Sequence, residues 1–405
     1  MVTPAKDKRI LIVGGGPVGL FAAIRLVGFG IPITLIDKSK KVSSDIRAST
    51  IHPPSLEMMA PYGITEEILE TGIKVRQWQI RNHLTGDKVV FDLNNISDET
   101  DYPYRVQFEQ SKICKIMDRQ LRANPLADIR YGTEFVSLSQ NDNGIIINVE
   151  SGKGSETICG QFLIAADGGN SSIREHLGLA FEGSTYPEKT VLVTTPFPFH
   201  EYIDGLSSVS YCWEEKGNFS LLQLPDQWRA SLYFPENMSQ EEALDDKNIQ
   251  KQLHDICPIE GPFEIYDKRV YRVHQRIVNK YDHGRIALAG DAAHVNSPSG
   301  GMGMNGGLHD AHNLTEKLNK IWLNESRDNY FELLDLYSRQ RKPIAEQQII
   351  KQADENRKRM TEKNHQRRQM SLDELQKISD DPIKCKAFLM KSSMYEGLRK
   401  ASSIE

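Results

Sequence analysis

The strongest constraint on this chain lies in residues 9–27. Arg9-Ile10-Leu11-Ile12-Val13 is a short apolar, β-branched run that stops at Gly14-Gly15-Gly16-Pro17-Val18-Gly19, and Leu20 to Val27 is a good helix former. A short apolar run bounded by turn residues is the pattern of a strand buried in a parallel sheet. Gly14, Gly16 and Gly19 satisfy G-x-G-x-x-G: the first allows the tight turn, the second lets a pyrophosphate approach the backbone, and the third lets helix and strand pack closely. Pro17 and Val18 open the helix, whose free N–H groups attract phosphate. A second strand, Ile33 to Ile36, ends at Asp37-Lys38, with Asp37 18 residues after Gly19, where an acid accepts hydrogen bonds from a ribose. A lone glycine motif is only a glycine-rich turn. Strand, turn, helix, second strand and terminal acid together predict dinucleotide binding, without separating NAD from FAD.

At 405 residues the chain is long for one domain and comfortable for two interleaved ones. A net charge of −5 argues against an overall nucleic-acid binder. Cys114, Cys159, Cys212, Cys257 and Cys385 are odd in number and widely spaced with no C-x-x-C, so neither a zinc site nor a disulfide framework is expected. The start of the chain shows no signal-peptide apolar core and no run is long enough to span a bilayer, so the expected setting is cytoplasmic, without stable membrane insertion.

Further along, Val75 to Asp92 alternates around Trp78 and Phe91 and predicts a hairpin turning at Thr85-Gly86-Asp87. Ser111 to Leu121 predicts an amphipathic helix, and Glu134 to Leu138 and Ile145 to Val149 predict strands. Gln161 to Ala166 is a second buried-strand pattern, ending in Asp167-Gly168. From Phe181 to Arg276 short β-rich stretches alternate with turns, with one helical segment near Glu241 to Ile256. Gly284 to Asp291 restores the parallel-strand pattern, and from Leu308 the chain reads as helix, with a kink or restart at Pro343. Lys351 to Arg368 holds seven Lys or Arg against three acids and reads as a solvated face. Ser371-Leu372-Asp373-Glu374 fits a capping box opening a last helix.

Three separated segments together resemble the single-component flavoprotein aromatic hydroxylases, the para-hydroxybenzoate hydroxylase family: the opening fold through Asp37; Asp167-Gly168-x-x-Ser171-x-x-Arg174; and Gly290-Asp291-Ala292-Ala293-His294 through Pro298, Gly300-Gly301-Met302-Gly303-Met304-Asn305 to Asp310-Ala311. The resemblance covers about residues 8 to 345 and implies an α/β fold, with a Rossmann-like FAD-binding domain, an inserted antiparallel-sheet substrate domain and a helical C-terminus. On that reading residues 1–74, 105–180 and 278–345 form the FAD-binding domain, 75–104 a hairpin of the substrate domain, 181–277 its antiparallel sheet, and 346–405 a helical segment expected either to support a homodimer or to cover the FAD-binding domain. Asp167, Gly168 and Arg174 correspond to a motif shared between FAD and NAD(P)H binding, and Gly290-Asp291 to one whose aspartate binds the ribityl chain.

Independently of the family, Asp291 follows a strand, and Gly300, Gly301 and Gly303 precede a helix expected near Met304 and Asn305. Their N–H groups suit an anionic flavin edge or a peroxide, with Pro298 in the same loop. Arg47 and Gln107 fall where the family places cofactor contacts; alone, Arg47 reads as a surface salt-bridge residue. Ser297, Ser299 and Met302 depart from the residues common in relatives, on the substrate side of the flavin. His294 reads as a structural hydrogen-bonding residue rather than a general base, and His52, His274, His309 and His312 show no metal-ligand pattern.

The resemblance implies that NADPH or NADH reduces FAD, which captures O2 as a C4a-hydroperoxide and transfers one oxygen atom to a small aromatic or heteroaromatic substrate. Tyr211, Trp213, Phe219, Leu222, Arg229 and Tyr233 come from the antiparallel sheet, but alternation alone does not say which face the substrate. Tyr211 and Arg229 are the candidates, Arg229 as a partner for a substrate carboxylate, although an exposed arginine is the simpler reading. Two alternatives keep the flavin: a reductase, dehydrogenase or halogenase, against which stand the missing Trp-x-Trp-x-Ile-Pro segment and the lack of a redox cysteine pair, and a non-catalytic flavin binder, which decayed motifs would favour.

Overall fold

Ile10–Val13 pairs in parallel with Ile33–Asp37 on one side and with Phe162–Ala165 on the other. The outer strands are Ala127–Tyr131 beyond Ile33–Asp37, and Ile286–Leu288 beyond Phe162–Ala165, both parallel, with Asp282–His283 as an antiparallel edge. This computed structural model describes residues 8–42, 48–215, 217–235, 237–323 and 330–405. Every residue of Ile10–Val13 and Phe162–Ala165 is buried, because helices cover one face of the sheet and the strands Thr133–Asn141, Gly144–Ser151 and Gly154–Gly160 pack on the other. Helix Pro17–Gly28 lies against helices Gln110–Arg122 and Met302–Leu323, closing the larger of the apolar cores.

The second large element is an eight-stranded sheet in which Glu182–Thr195, Gln227–Phe234, Asn218–Leu224 and Val209–Trp213 are central. The predicted hairpin is Gln77–Asn82 with Lys88–Asp92, and it joins this sheet through a parallel pairing with Val209–Trp213. Period-2 alternation divides the sheet cleanly. Val191, Val193, Phe219, Leu221, Ala230 and Leu232 build one core with helix Asp246–Ile256, while Thr190, Leu192, Ser220, Leu222, Arg229 and Ser231 face the parallel sheet's carboxyl edge across a cavity.

Several local expectations need correction. The helix near Glu241 to Ile256 is two helices, Gln240–Leu244 opened by a Ser239–Glu242 capping box, and Asp246–Ile256 opened by Asp245, whose carboxylate accepts from the Lys247 N–H. Gly154–Gly160, too polar to read as a strand, pairs along Gly144–Ser151 and completes a three-stranded meander with Thr133–Asn141. At Pro343 the expected restart is found: the residue lies in the last turn of helix Tyr330–Ile344, a π-helical stretch follows over Ala345–Ile350, and α-helix resumes at Lys351. Ser371 opens no helix: it sits within His365–Asp380, which is capped by the Asn364 side chain accepting from the Arg367 N–H, and helices Pro382–Ser392 and Tyr395–Ser402 follow.

The basic stretch is a solvated face at Lys351, Lys358, Lys363 and Arg367, which are exposed, but not at its end. Arg368 is 1% exposed and donates to the carbonyls of Glu362, Glu214 and Gly217, while the Trp213 indole donates to the Arg359 carbonyl at 3.0 Å. These helices are anchored because Phe388 stacks on Trp78 and Phe91, Leu389 is fully buried, and Tyr395 donates to the Glu57 carboxylate. The C-terminal segment therefore covers the hairpin and the edge of the large sheet, and touches the opening domain through Glu57.

Candidate active site

Four strands of the parallel sheet end at one cavity of about 640 Å³, whose walls include Val13-Gly14, Asp37, Ala166-Asp167 and Ala289 with Asp291. That is the carboxyl edge where open α/β sheets bind ligands. The turn after the first strand is tightly specified. Gly14 has φ of 111°, and a Cβ there would lie 2.2 Å from the Ala166 carbonyl oxygen; a Cβ on Gly19 would lie 1.9 Å from the Gly14 oxygen. At Gly16 a Cβ would meet nothing within 4 Å, so the backbone faces open cavity. Gly16 is the N-cap of helix Pro17–Gly28 and no side chain caps it, which leaves the first-turn amides beside Pro17 and Val18 at the cavity wall. Asp37 is held in place: its Oδ2 accepts from the Gly15 N–H at 2.6 Å and its Oδ1 from the Ser39 N–H at 2.7 Å. Lys38 lines the cavity beside it.

The second turn is built around Asp167, whose Oδ2 accepts from the Ile173 N–H at 3.1 Å. Burial pushes the Asp167 carboxyl above its ordinary range, against the pull of hydrogen bonds from Ser171 and the Ile173 backbone. Asp167 and Gly168 line the cavity, but Arg174 does not: its guanidinium donates to the Ala292 and Gly169 carbonyls and lies over the Phe181 ring at 3.8 Å. Arg174 ties the second turn to the third.

The third segment combines a glycine turn with a helix start. Pro298, Gly301, Gly303 and Met304 line the cavity, whereas Gly300 lines a narrower extension of it. The helix begins at Met302, two residues before the expected point. The Gly301 N–H donates to the Pro298 carbonyl at 3.0 Å, closing a turn around Gly300 with φ of 95°, so that amide is spent within the loop and is not available as an oxyanion donor. Asn305 is buried behind the wall. Its Nδ2 donates to the carbonyls of Thr50 and Gly301, and its Oδ1 accepts from the His52 N–H, which latches the loop to strand Thr50–Ile51. Gln107 is likewise fully buried, donating its amide to Thr50 Oγ1 at 3.0 Å rather than lining the cavity. Gly290 also stands behind the wall, its N–H donating to Asp310 Oδ2 at 3.1 Å. Arg47 lies outside the described residues.

Family membership follows from the whole length of this arrangement. The FAD binding domain family matches residues 7–353. The chain belongs to the FAD-dependent aromatic hydroxylases. It is 28% identical over 336 residues to 6-hydroxy-3-succinoylpyridine 3-monooxygenase of Pseudomonas putida (strain DSM 28022 / S16), covering 83% of this chain and 84% of the relative. It is also 28% identical over 345 residues to para-nitrophenol 4-monooxygenase of Pseudomonas sp. (strain WBC-3), covering 83% of each. The crystal structure of p-nitrophenol 4-monooxygenase from Pseudomonas putida DLL-E4 superposes with a TM-score of 0.89 at 24% identity over 96% of this chain and 98% of that one. This hydroxylase is thus an FAD-dependent monooxygenase that draws on NAD(P)H and O2.

The structure also sorts the hydroxylase's sheet residues. Tyr211, Leu222, Arg229 and Tyr233 face the cavity, whereas Phe219 points into the opposite core and Trp213 lies under the C-terminal helices. Arg229 is 7% exposed, which corrects the reading of an exposed arginine; burial lowers its pKa to about 10 against the pull of Tyr211, Tyr271 and Tyr233. His294 is buried, with Nε2 2.8 Å from Asp310 Oδ2 and no place on the cavity wall, in keeping with a structural role. Cavity residues with no sequence signal include Thr50, Gln110 and Phe135; only tertiary contact brings them there.

Proposed function

We propose that the chain hydroxylates a small phenolic or N-heteroaromatic ring held between the parallel sheet's carboxyl edge and the polar face of the antiparallel sheet. The observation that carries this reading is the convergence of three glycine- and aspartate-bearing turns and the Tyr211, Arg229 face on one cavity. The relatives' named substrates, a hydroxylated pyridine and a nitrophenol, point to the same ring class.

Bound FAD supplies electron transfer from NADPH or NADH and the activation of oxygen. The chain's own groups divide the remaining work. The Asp37 carboxylate, fixed by the Gly15 and Ser39 amides, accepts hydrogen bonds from ribose hydroxyls. Gly14, Gly16, Pro17 and Val18 present a helix N-terminus to the pyrophosphate, with Lys38 adding positive charge at the rim. Asp167, Gly168 and Asp291 take polar groups of the cofactor chain, and the helix start at Gly303 and Met304 faces the flavin edge. Gly19, Gln107, Arg174, Gly290 and Asn305 act one layer back, by fixing those turns. Pro298 and Gly301, joined in one turn on the cavity wall, would shape the loop beside the flavin. Arg229 places a buried cation on the substrate wall, where it stabilises an ionised ring hydroxyl.

The decisive measurement is anaerobic bleaching of the bound flavin by NADPH, and by NADH, with and without phenols, aromatic acids and N-heteroaromatics. Strong acceleration by one ring class, followed by an oxygenated product in air, is the expected result. Bleaching indifferent to every aromatic, with no oxygenated product, would sink the hydroxylase reading in favour of a reductase. Arg229→Met is expected to weaken binding of ionised phenols by about tenfold or more while flavin content stays at the parental level. Unchanged phenolate binding would remove Arg229 from the substrate wall.

A further inference from the structure

Beyond Tyr211 and Ser299, which line both spaces, the main cavity continues into a narrow extension of about 40 Å³. By the measure that a water needs roughly 10–15 Å³, it holds about three waters' worth of space, enough for a carboxylate but not for a second ring. Its sides are apolar, formed by Trp78, Ile80, Met302, Met360 and Phe388. Its polar groups are unbalanced: among the described residues Arg105 and Arg359 line it, and no Asp or Glu does.

Arg105 is 2% exposed, and its guanidinium lies over the Trp78 ring at 4.8 Å. Its Nε has no hydrogen-bond partner among the described residues, and neither do the Trp78 Nε1 and the Gln352 Oε1. Burial pulls the Arg105 guanidinium below its ordinary value, and among the described residues the phenol of Tyr211 counters this while no carboxylate does. The nearby His52 is no counter-ion: burial, together with the charge of Arg105, pushes it down to about 3, so it is neutral. Arg359 is partly shielded, donating to Asn356 Oδ1 at 3.4 Å and feeling Glu355 and Glu374. A buried guanidinium without an anion is costly, and such charges are ordinarily paired.

We propose that this extension is a subsite for a carboxylate carried on a short arm of the aromatic substrate, with Arg105 as its principal partner. The inference rests on the hydroxylase reading above and narrows it to acidic ring substrates. The ring occupies the wide chamber beside Arg229, and the arm passes Tyr211 and Ser299 to reach Arg105. Arg229 serves the ring and Arg105 the arm.

The test uses the flavin-loaded protein without reductant, titrated with matched pairs of hydroxyaryl ligands, one carrying a carboxylate arm and the other its primary amide, followed by the change in the flavin's visible spectrum. The parent protein is expected to prefer the acid by at least about tenfold. Arg105→Met should erase that preference and, without ligand, unfold at a higher temperature than the parent, because an uncompensated charge has been replaced by an apolar side chain of similar length. A merely structural arginine would do the opposite, lowering the melting temperature and leaving the preference intact. Arg359→Met, which keeps Arg105, should reduce the preference without erasing it, and it serves if Arg105→Met fails to fold. Equal binding of acid and amide by the parent overturns the subsite while leaving the hydroxylase reading standing. Formate or chloride that perturbs the spectrum and competes with the amide ligands as well as with the acids would show a free-anion site, and overturns the arm. If no aromatic ligand binds or speeds flavin reduction, both readings fall.

Discussion

Gly14→Ala is expected to yield a protein that purifies without flavin and is less stable than the parent by several kcal/mol. The φ of 111° at Gly14 is strained for any residue with a Cβ, and the added carbon would sit 2.2 Å from the Ala166 oxygen, 2.5 Å from the Ala166 carbon and 2.8 Å from the Asp167 nitrogen. These are backbone atoms of the neighbouring turn, so no rotamer change relieves the clash. Strain of about 1–3 kcal/mol adds to an overpacking cost of about 1–3 kcal/mol. Relief requires the first and second turns to separate, and both line the cavity. Gly16→Ala is the matched control. Its φ is −79° and its Cβ enters open space, so the apoprotein should melt close to the parent while flavin affinity falls at least about tenfold, because the methyl group occupies the approach to the helix amides. Chemical denaturation of the apoproteins and flavin titration separate the two effects. Gly14→Ala with parental stability and full flavin would refute the account of this turn.

The contrast between those two glycines also marks what was legible in the sequence. Gly14, Gly16, Gly19 and Asp37 form one local strand-turn-helix-strand unit, and local units announce themselves through spacing. Two further strands of the parallel sheet were legible for the same reason: Phe162–Ala165 and Ile286–Leu288 are apolar runs that each end in a turn containing aspartate. What could not be read is which side of a wall a residue occupies. Gln107, Arg174, Gly290 and Asn305 match the motif as well as Asp291 does, yet they stand behind the cavity, because depth depends on pairings between segments as far apart as Thr50 and Asn305. Arg229 and Arg368 read as exposed because arginine usually is; both are buried, one on the cavity wall and one against the Glu214 and Gly217 carbonyls. Ser371 failed differently. A capping sequence opens a helix only where the chain is not already helical, and Asn364 had already started one.

Arg341→Met should be among the most damaging single substitutions outside the glycine turns, although Arg341 does not line the cavity. Arg341, Asp310 and His294 are each at most 1% exposed. Asp310 Oδ1 accepts from Arg341 Nε at 2.7 Å, and its Oδ2 meets both His294 Nε2 at 2.8 Å and the Gly290 N–H at 3.1 Å. One carboxylate thus holds the turn that presents Asp291. Burial by itself would raise the Asp310 pKa, but the charges of Arg341 and His294 outweigh it and hold the carboxyl below its ordinary value. Removing Arg341 strands that carboxylate, at a cost of about 3–5 kcal/mol. In the double variant Asp310→Asn with Arg341→Met the charge disappears, so the combined cost should be smaller than the sum of the two single costs. The pH dependence carries a sign. A depressed carboxylate contributes stability that is complete above its unfolded pKa of about 3.9 and lost as pH falls below it. The parent therefore loses the Asp310 contribution on acidification below about pH 4, whereas Arg341→Met has little of it left to lose, and the stability gap between them should narrow there. A gap that stayed constant with pH, or strict additivity in the double variant, would mean that Arg341 supports the fold by packing alone and that Asp310 does not depend on its charge.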